Sequence, residues 1–138
     1  MASIRREVRI AARPETAWDA LRDVGALHTR LVPGFVTDTK LEPGARIVTF
    51  GNGMVVRERM LDVDESHHRV AWSAESALMT HHNASAQVFP DGPDRCRFVW
   101  IADLLPDEAE PAIAGMIEQG IAIIQKTLEA AELDQRKR

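Results

Sequence analysis

Residues 95–133 read RCRFVWIADLLPDEAEPAIAGMIEQGIAIIQKTLEAAEL, and the hydrophobic period changes in the middle of that stretch. In the first part Phe98, Trp100 and Ala102 alternate with Arg97, Val99, Ile101 and Asp103. That is the two-residue repeat of a strand whose uncharged face points inward. From Asp107 onward Ile113, Met116, Ile117, Gly120, Ile124, Leu128 and Ala131 recur at three-and-four spacing, with Glu118, Gln125, Lys126, Glu129 and Glu132 on the other side. The spacing predicts a long amphipathic helix over 107–133. It starts either at a capping box of Asp107 and Glu110 or with Pro111 in the first helical position. A helix with one long apolar stripe needs a sheet face to bury it.

Outward from there, extended runs at 35–41, 45–50, 54–63, 69–74, 80–89 and 95–104 are separated by turn residues: Glu42-Pro43-Gly44, Gly51-Asn52-Gly53, Asp64-Glu65-Ser66, a Ser/Ala/Met segment at 76–79, and Pro90-Asp91-Gly92-Pro93. Connections this short favour antiparallel neighbours, because parallel strands need helix-length crossovers. Gly51-Asn52-Gly53 reads as a hairpin turn rather than a phosphate cradle, since no helix follows it.

At the N-terminus residues 3–11 alternate as a further strand, Ile4, Val8 and Ile10 against Arg5, Glu7 and Arg9, with Arg6 out of place on the apolar side. Pro14 opens a short helix with Trp18 and Leu21 inside, and a second helical piece at 26–31 ends at Pro33-Gly34. The expected fold is α+β: one domain over 1–138, a seven-stranded curved antiparallel sheet around a long C-terminal helix, with two short helices after the first strand. A sheet that curls more than the helix can fill leaves a cavity.

Bulk properties restrict the function classes. At 138 residues, 45% hydrophobic and 28% charged, the chain has the composition of one ordinary globular domain. A net charge of -4 argues against a nucleic-acid partner, and the short basic tail Arg136, Lys137, Arg138 is better placed to complement the negative end of the last helix. No run reaches the roughly 18 apolar residues of a membrane span. The charged start Met-Ala-Ser-Ile-Arg-Arg-Glu is unlike a signal peptide, so the expected compartment is the cytoplasm. Cys96, the single cysteine, forms no internal disulfide and is expected to be an inert buried thiol.

Strand alternation nominates the residues that would face a cavity. Val56, Glu58 and Met60 oppose the outward Arg57 and Arg59; Val70 and Trp72 face in; His82, Ala84, Ala86 and Val88 oppose His81, Asn83, Ser85 and Gln87. His28 and Phe35 stand near the expected mouth, and Met116, Ile117 and Gly120 on the helix. The ligand-contact candidates are therefore His28, Phe35, Val56, Trp72, Ala84, Phe98, Trp100, Met116, Ile117 and Gly120. His82 and Glu58 are the candidates for acid or base chemistry. Each has a structural alternative: His82 hydrogen-bonded to backbone or water at the sheet mouth, Glu58 paired with an arginine. The pairs His67-His68 and His81-His82 do not suggest a metal, because adjacent strand residues point to opposite faces. Nothing in the chain calls for a cofactor.

The order of elements resembles the helix-grip superfamily that includes START lipid-transfer domains, the birch pollen allergen and bacterial polyketide cyclase/dehydrase-like proteins, and the chain is most similar to the last group. The likeness rests on Arg13-Pro14-Glu15-Thr16-Ala17-Trp18-Asp19-Ala20-Leu21, Pro43-Gly44-Ala45-Arg46, Gly53-Met54-Val55-Val56-Arg57-Glu58-Arg59, Arg69-Val70-Ala71-Trp72 and Cys96-Arg97-Phe98-Val99-Trp100. It implies a helix-grip fold and a small hydrophobic or aromatic metabolite or lipid in the cavity. The alternatives are an enzyme of cyclase, dehydratase or isomerase type acting through His82 or Glu58, and a ligand-free, co-chaperone-like interaction domain. The chain contains no tyrosine, so no phenol is available for proton transfer. An exposed sheet edge could support a homodimer.

Overall fold

In a computed structural model, which describes residues 1–137, seven strands form one sheet in the order β1-β7-β6-β5-β4-β3-β2. They are β1 (Ala2–Ile10), β2 (Val36–Glu42), β3 (Ala45–Phe50), β4 (Val55–Asp64), β5 (Arg69–Glu75), β6 (His81–Pro90) and β7 (Cys96–Leu105). Every neighbouring pair is antiparallel. From β2 to β7 the chain is a meander, as the short turns require.

The first two strands lie at opposite edges of the sheet, so the intervening chain must cross it. It does so as α1 (Pro14–Arg22), a 3-10 turn (Val24–Ala26) and a single π turn (Leu27–Leu31). The second helical piece expected at 26–31 is thus divided into two tighter or looser turns. Gly34 takes a positive φ of 84° where the chain reverses into β2.

The last helix, α2 (Glu110–Arg136), follows a 3-10 turn at Asp107–Ala109. It has no side-chain cap, and Pro111 stands in its first turn, which is the second of the two expected starts. Its buried stripe comprises Ile113, Ile117, Ile121, Ile124 and Leu128. These residues join Ile4, Ile10, Phe98 and Leu104 from the sheet in a single core. The register Ile4↔Ala102 and Val8↔Phe98 sets apolar residues of β1 and β7 side by side beneath the helix. Arg6, the exception on β1, reaches Glu118 of α2 with Nε 3.0 Å from Oε1.

The polar side of α2 holds the β1–α1 connection. Gln125 donates to the carbonyl of Arg9, and Glu129 accepts the Ala11 N–H. Glu132, 1% exposed, accepts from the Arg13 N–H at 3.0 Å, Thr16 Oγ1 at 2.7 Å and Arg13 Nε at 3.1 Å, and from Arg136 Nε at 3.2 Å. Arg13, the residue capping α1, makes no cap with its own side chain. Glu132 therefore supplies from α2 a buried carboxylate acceptor at the start of α1, which has no side-chain cap of its own. Arg138, the end of the basic tail, lies outside the described residues.

Burial alone would raise the pKa of Glu132, but hydrogen bonds from Thr16 and Arg13 and the Arg13 charge outweigh it and bring the carboxyl from 4.5 down to about 2. Because the folded value is depressed, the associated stability is complete above about 4.5 and is lost as the pH falls toward about 2. Glu132→Gln is expected to lower stability at neutral pH by about 2 kcal/mol, the scale of a hydrogen bond to a charged group. Urea unfolding of the variant should also show a flatter loss of stability across that acid window.

Candidate functional site

Helix α2 packs mainly on β1, on α1 and on the π turn. The concave face of β3 to β6 is left for other groups to close. Between them lies a cavity of about 110 Å³. The sheet contributes Val56, Trp72, Ala86, Phe98 and Trp100, α2 contributes Ile113, Met116 and Ile117, and the crossover contributes Leu27, Leu31 and Phe35. Trp72 and Trp100 meet at a tilt with ring centroids 6.1 Å apart, and Phe35 meets Phe50 edge-on at 5.6 Å. Met54, Leu78 and Met79 complete the apolar lining, and the exposed Leu78 marks the side on which it opens.

One row of polar groups crosses this apolar wall. Arg46 of β3 is the cross-strand partner of Glu58 on β4, Glu58 of Ala74 on β5, and Ala74 stands beside His82 on β6. Arg46 Nε donates to Glu58 Oε1 at 2.8 Å, and Nη1 to the carbonyl of Val24 at 3.2 Å. Both side chains are less than a tenth exposed. The Arg46 guanidinium also lies over the Trp72 ring, 5.6 Å from its centroid.

Side chains replace backbone at the His82 end of the row. The β5–β6 ladder stops at Trp72↔Ala84. Beyond it the Ala74 N–H donates to His82 Nδ1 at 3.0 Å, and Ser73 Oγ donates to the His82 carbonyl. A ring nitrogen that accepts an N–H carries no proton, so the neutral ring holds its proton on Nε2. Burial holds the His82 pKa below the usual 6.5, with Glu58 partly opposing and His81 adding to the shift. His82 is therefore a neutral donor in the cavity wall.

Of the residues nominated from the sequence, Phe35, Val56, Glu58, Trp72, His82, Phe98, Trp100, Met116 and Ile117 line the cavity. His28, Ala84 and Gly120 do not. Leu27 and Leu31, four residues apart on the π turn, take the inward positions; His28 lies off that face, its Nδ1 buried without a partner. The Ala84 methyl is buried between its cross-strand neighbours Trp72 and Ala102. Gly120 is covered by Trp100: a Cβ there would stand 2.9 Å from Cζ3. Arg46 was not nominated, although its signal was present. With Gly51-Asn52-Gly53 as the turn, Val48 pairs with Val56, which sets Arg46 opposite Glu58.

Other chemistry-bearing groups lie elsewhere. Cys96 is fully buried, and burial first, with Asp91 next, raises its thiol to about 11. Among the described residues no group of three or more His, Cys, Asp or Glu is placed to hold a metal, and no helix is long and apolar enough to cross a membrane.

A family model described as polyketide cyclase / dehydrase and lipid transport matches residues 1–129. Solved structures with the same fold include a Thermobifida fusca protein at 26% identity, covering 94% of this chain and 91% of that one, with a TM-score of 0.77. A START superfamily protein from Mycobacterium smegmatis is 14% identical over 96% and 98% of the two chains, TM-score 0.71. An aromatase/cyclase from a Streptomyces species is 17% identical over 99% and 96%, TM-score 0.74. Among proteins of curated function, none matches the chain.

The buried ion pair is asymmetric in its energetics. Glu58→Ala leaves Arg46 charged and unpaired in an apolar wall and should destabilise the fold by about 3–5 kcal/mol, whereas removing both charges as Arg46→Met with Glu58→Leu should restore most of that stability. Denaturant unfolding of the two variants measures the difference.

Proposed function

The chain belongs to the polyketide cyclase / dehydrase and lipid transport family, and from that premise we propose that it binds a small hydrophobic or aromatic metabolite or lipid between the curved sheet and α2. The observation that carries this reading is the cavity itself: largely apolar and aromatic, with its charged and titratable groups, Arg46, Glu58 and His82, gathered in one row. Ligand sites are usually built in that way, burial supplying affinity and a few polar groups setting orientation. Burying a ring the size of an aromatic side chain contributes roughly 4–6 kcal/mol at about 25 cal/mol per Å². Before the costs of association that gain corresponds to a dissociation constant between about a millimolar and some tens of micromolar, so burial of the ring alone gives weak binding and the polar row must add to it. The cavity weighs against an interaction domain with a filled core.

Native mass spectrometry of the freshly purified protein should show a bound compound that is released on denaturation. Met116→Trp, which fills the α2 wall of the cavity, should abolish that adduct while leaving the circular dichroism spectrum unchanged. A wild-type protein that is ligand-free and binds no hydrophobic probe would sink the proposal.

Acid/base catalysis is the second reading, favoured by the neutral His82 donor and the Glu58 carboxylate at one level of the cavity. Glu58 is engaged by Arg46, which leaves His82 as the group free to exchange a proton. Under this reading His82→Ala keeps ligand affinity within a few fold but removes turnover. Recovery of the ligand unchanged after prolonged incubation with wild-type protein would leave binding alone.

A further inference from the structure

The cavity's charges cancel, and that restricts what it can hold. Of the residues lining it, Arg46 brings one positive charge and Glu58 one negative. The α2 wall brings only Ile113, Met116, Ile117 and Ile124, and the crossover wall only apolar side chains. His82 faces the cavity as a neutral ring. A carboxylate ligand would have to compete with Glu58 for a guanidinium already engaged through Nε and Nη1, and would bring a second anion next to it in a dry site. An ammonium ligand would meet Arg46 in the same way.

Size restricts it further. A dry apolar cavity of about 150 Å³ accommodates benzene; the volume here, about 110 Å³, is smaller, so it holds at most a single ring, partly in the open mouth, and has no room for fused rings or a long acyl chain. The polar row fits such a ligand. Ala74, a single methyl between Glu58 and His82, leaves room above it for one small polar substituent. A carbonyl there accepts from His82 Nε2–H, and a hydroxyl donates to Glu58. Resting on the binding function above, we propose that the preferred ligand is an uncharged single-ring compound bearing one hydroxyl or carbonyl group, held over Ala74 between Glu58 and His82.

The test is a titration of the whole chain with five probes: benzaldehyde, benzyl alcohol, benzoate, benzylamine and laurate, followed by Trp72 and Trp100 fluorescence and by amide chemical shifts. Benzaldehyde and benzyl alcohol are expected to bind at least about tenfold more tightly than benzoate or benzylamine, the ratio of roughly one unfavourable charge placement. Glu58→Gln, which leaves the Arg46 charge uncancelled, should move the ratio toward benzoate by about tenfold or more. Benzoate, benzylamine or laurate binding wild type as tightly as the neutral probes would overturn this inference and leave the cavity as a ligand site. Failure of all five to bind would overturn both. Should Glu58→Gln not fold, the wild-type ratio decides alone.

Discussion

Six strand-to-strand gaps of about 4.8 Å make a sheet roughly 29 Å across, and one helix with its side chains covers only about 10–12 Å of it. Everything particular to this molecule follows from that mismatch. Helix α2 takes the β1–β7 side, where the apolar pairs Ile4↔Ala102 and Val8↔Phe98 meet its isoleucine stripe. The other half of the concave face is covered by the crossover between the two edge strands, a connection made of turns rather than a second long helix. Short turns cannot fill the width left over. The remaining space is the cavity, and the largest side chains of the sheet, Trp72 and Trp100, stand at its edge rather than filling it.

The polar row within that space is tied to the architecture of the sheet. Arg46 and Glu58 are directly opposite across an antiparallel pair, so their pairing costs little side-chain ordering beyond what the strands impose. Where the row reaches β6, the backbone ladder gives way to side chains. Ser73 and His82 each satisfy a main-chain group of the other strand. The buried backbone stays paired although the strands have parted. His82 can therefore be at once a structural plug for the parted ladder and a donor facing the cavity. The two roles assigned to it from the sequence as alternatives are compatible, because they use different ring nitrogens.

Period and turn chemistry made the fold legible. All seven strands fall within a residue or two of their expected bounds because alternation and glycine- or proline-containing turns are local signals. The inward parity of Val56, Trp72, Phe98 and Trp100 was legible for the same reason. What periodicity could not supply was depth: Ala84 and Gly120 share faces with cavity residues yet are sealed by a neighbouring indole. Glu132 was equally hidden. Its place on the polar side of the helix was correct, but a glutamate facing solvent and one buried against the start of another helix look alike in sequence. Distinguishing them requires knowing that residues 13–16 arrive there, a contact spanning more than a hundred positions.

Polar contacts concentrate on the second half of α2, while the first half, apart from the exposed Arg6–Glu118 pair, is held by apolar packing and covers the cavity. Gln125, Glu129 and Glu132 fix the second half through hydrogen bonds to the β1–α1 connection, each with a narrow range of acceptable geometry. Over the cavity the first half presents Ile113, Met116 and Ile117, whose attraction to the sheet has no preferred direction. Met116, Met54 and Met79 line the same cavity, unbranched side chains that repack at low cost. Polar anchoring concentrated at one end and apolar closure at the other let one helix hold the fold together while its cavity wall stays deformable. The Arg46–Glu58 pair keeps the opposite wall fixed, so a deformable apolar wall on the helix side faces a fixed pair of opposite charges on the sheet side.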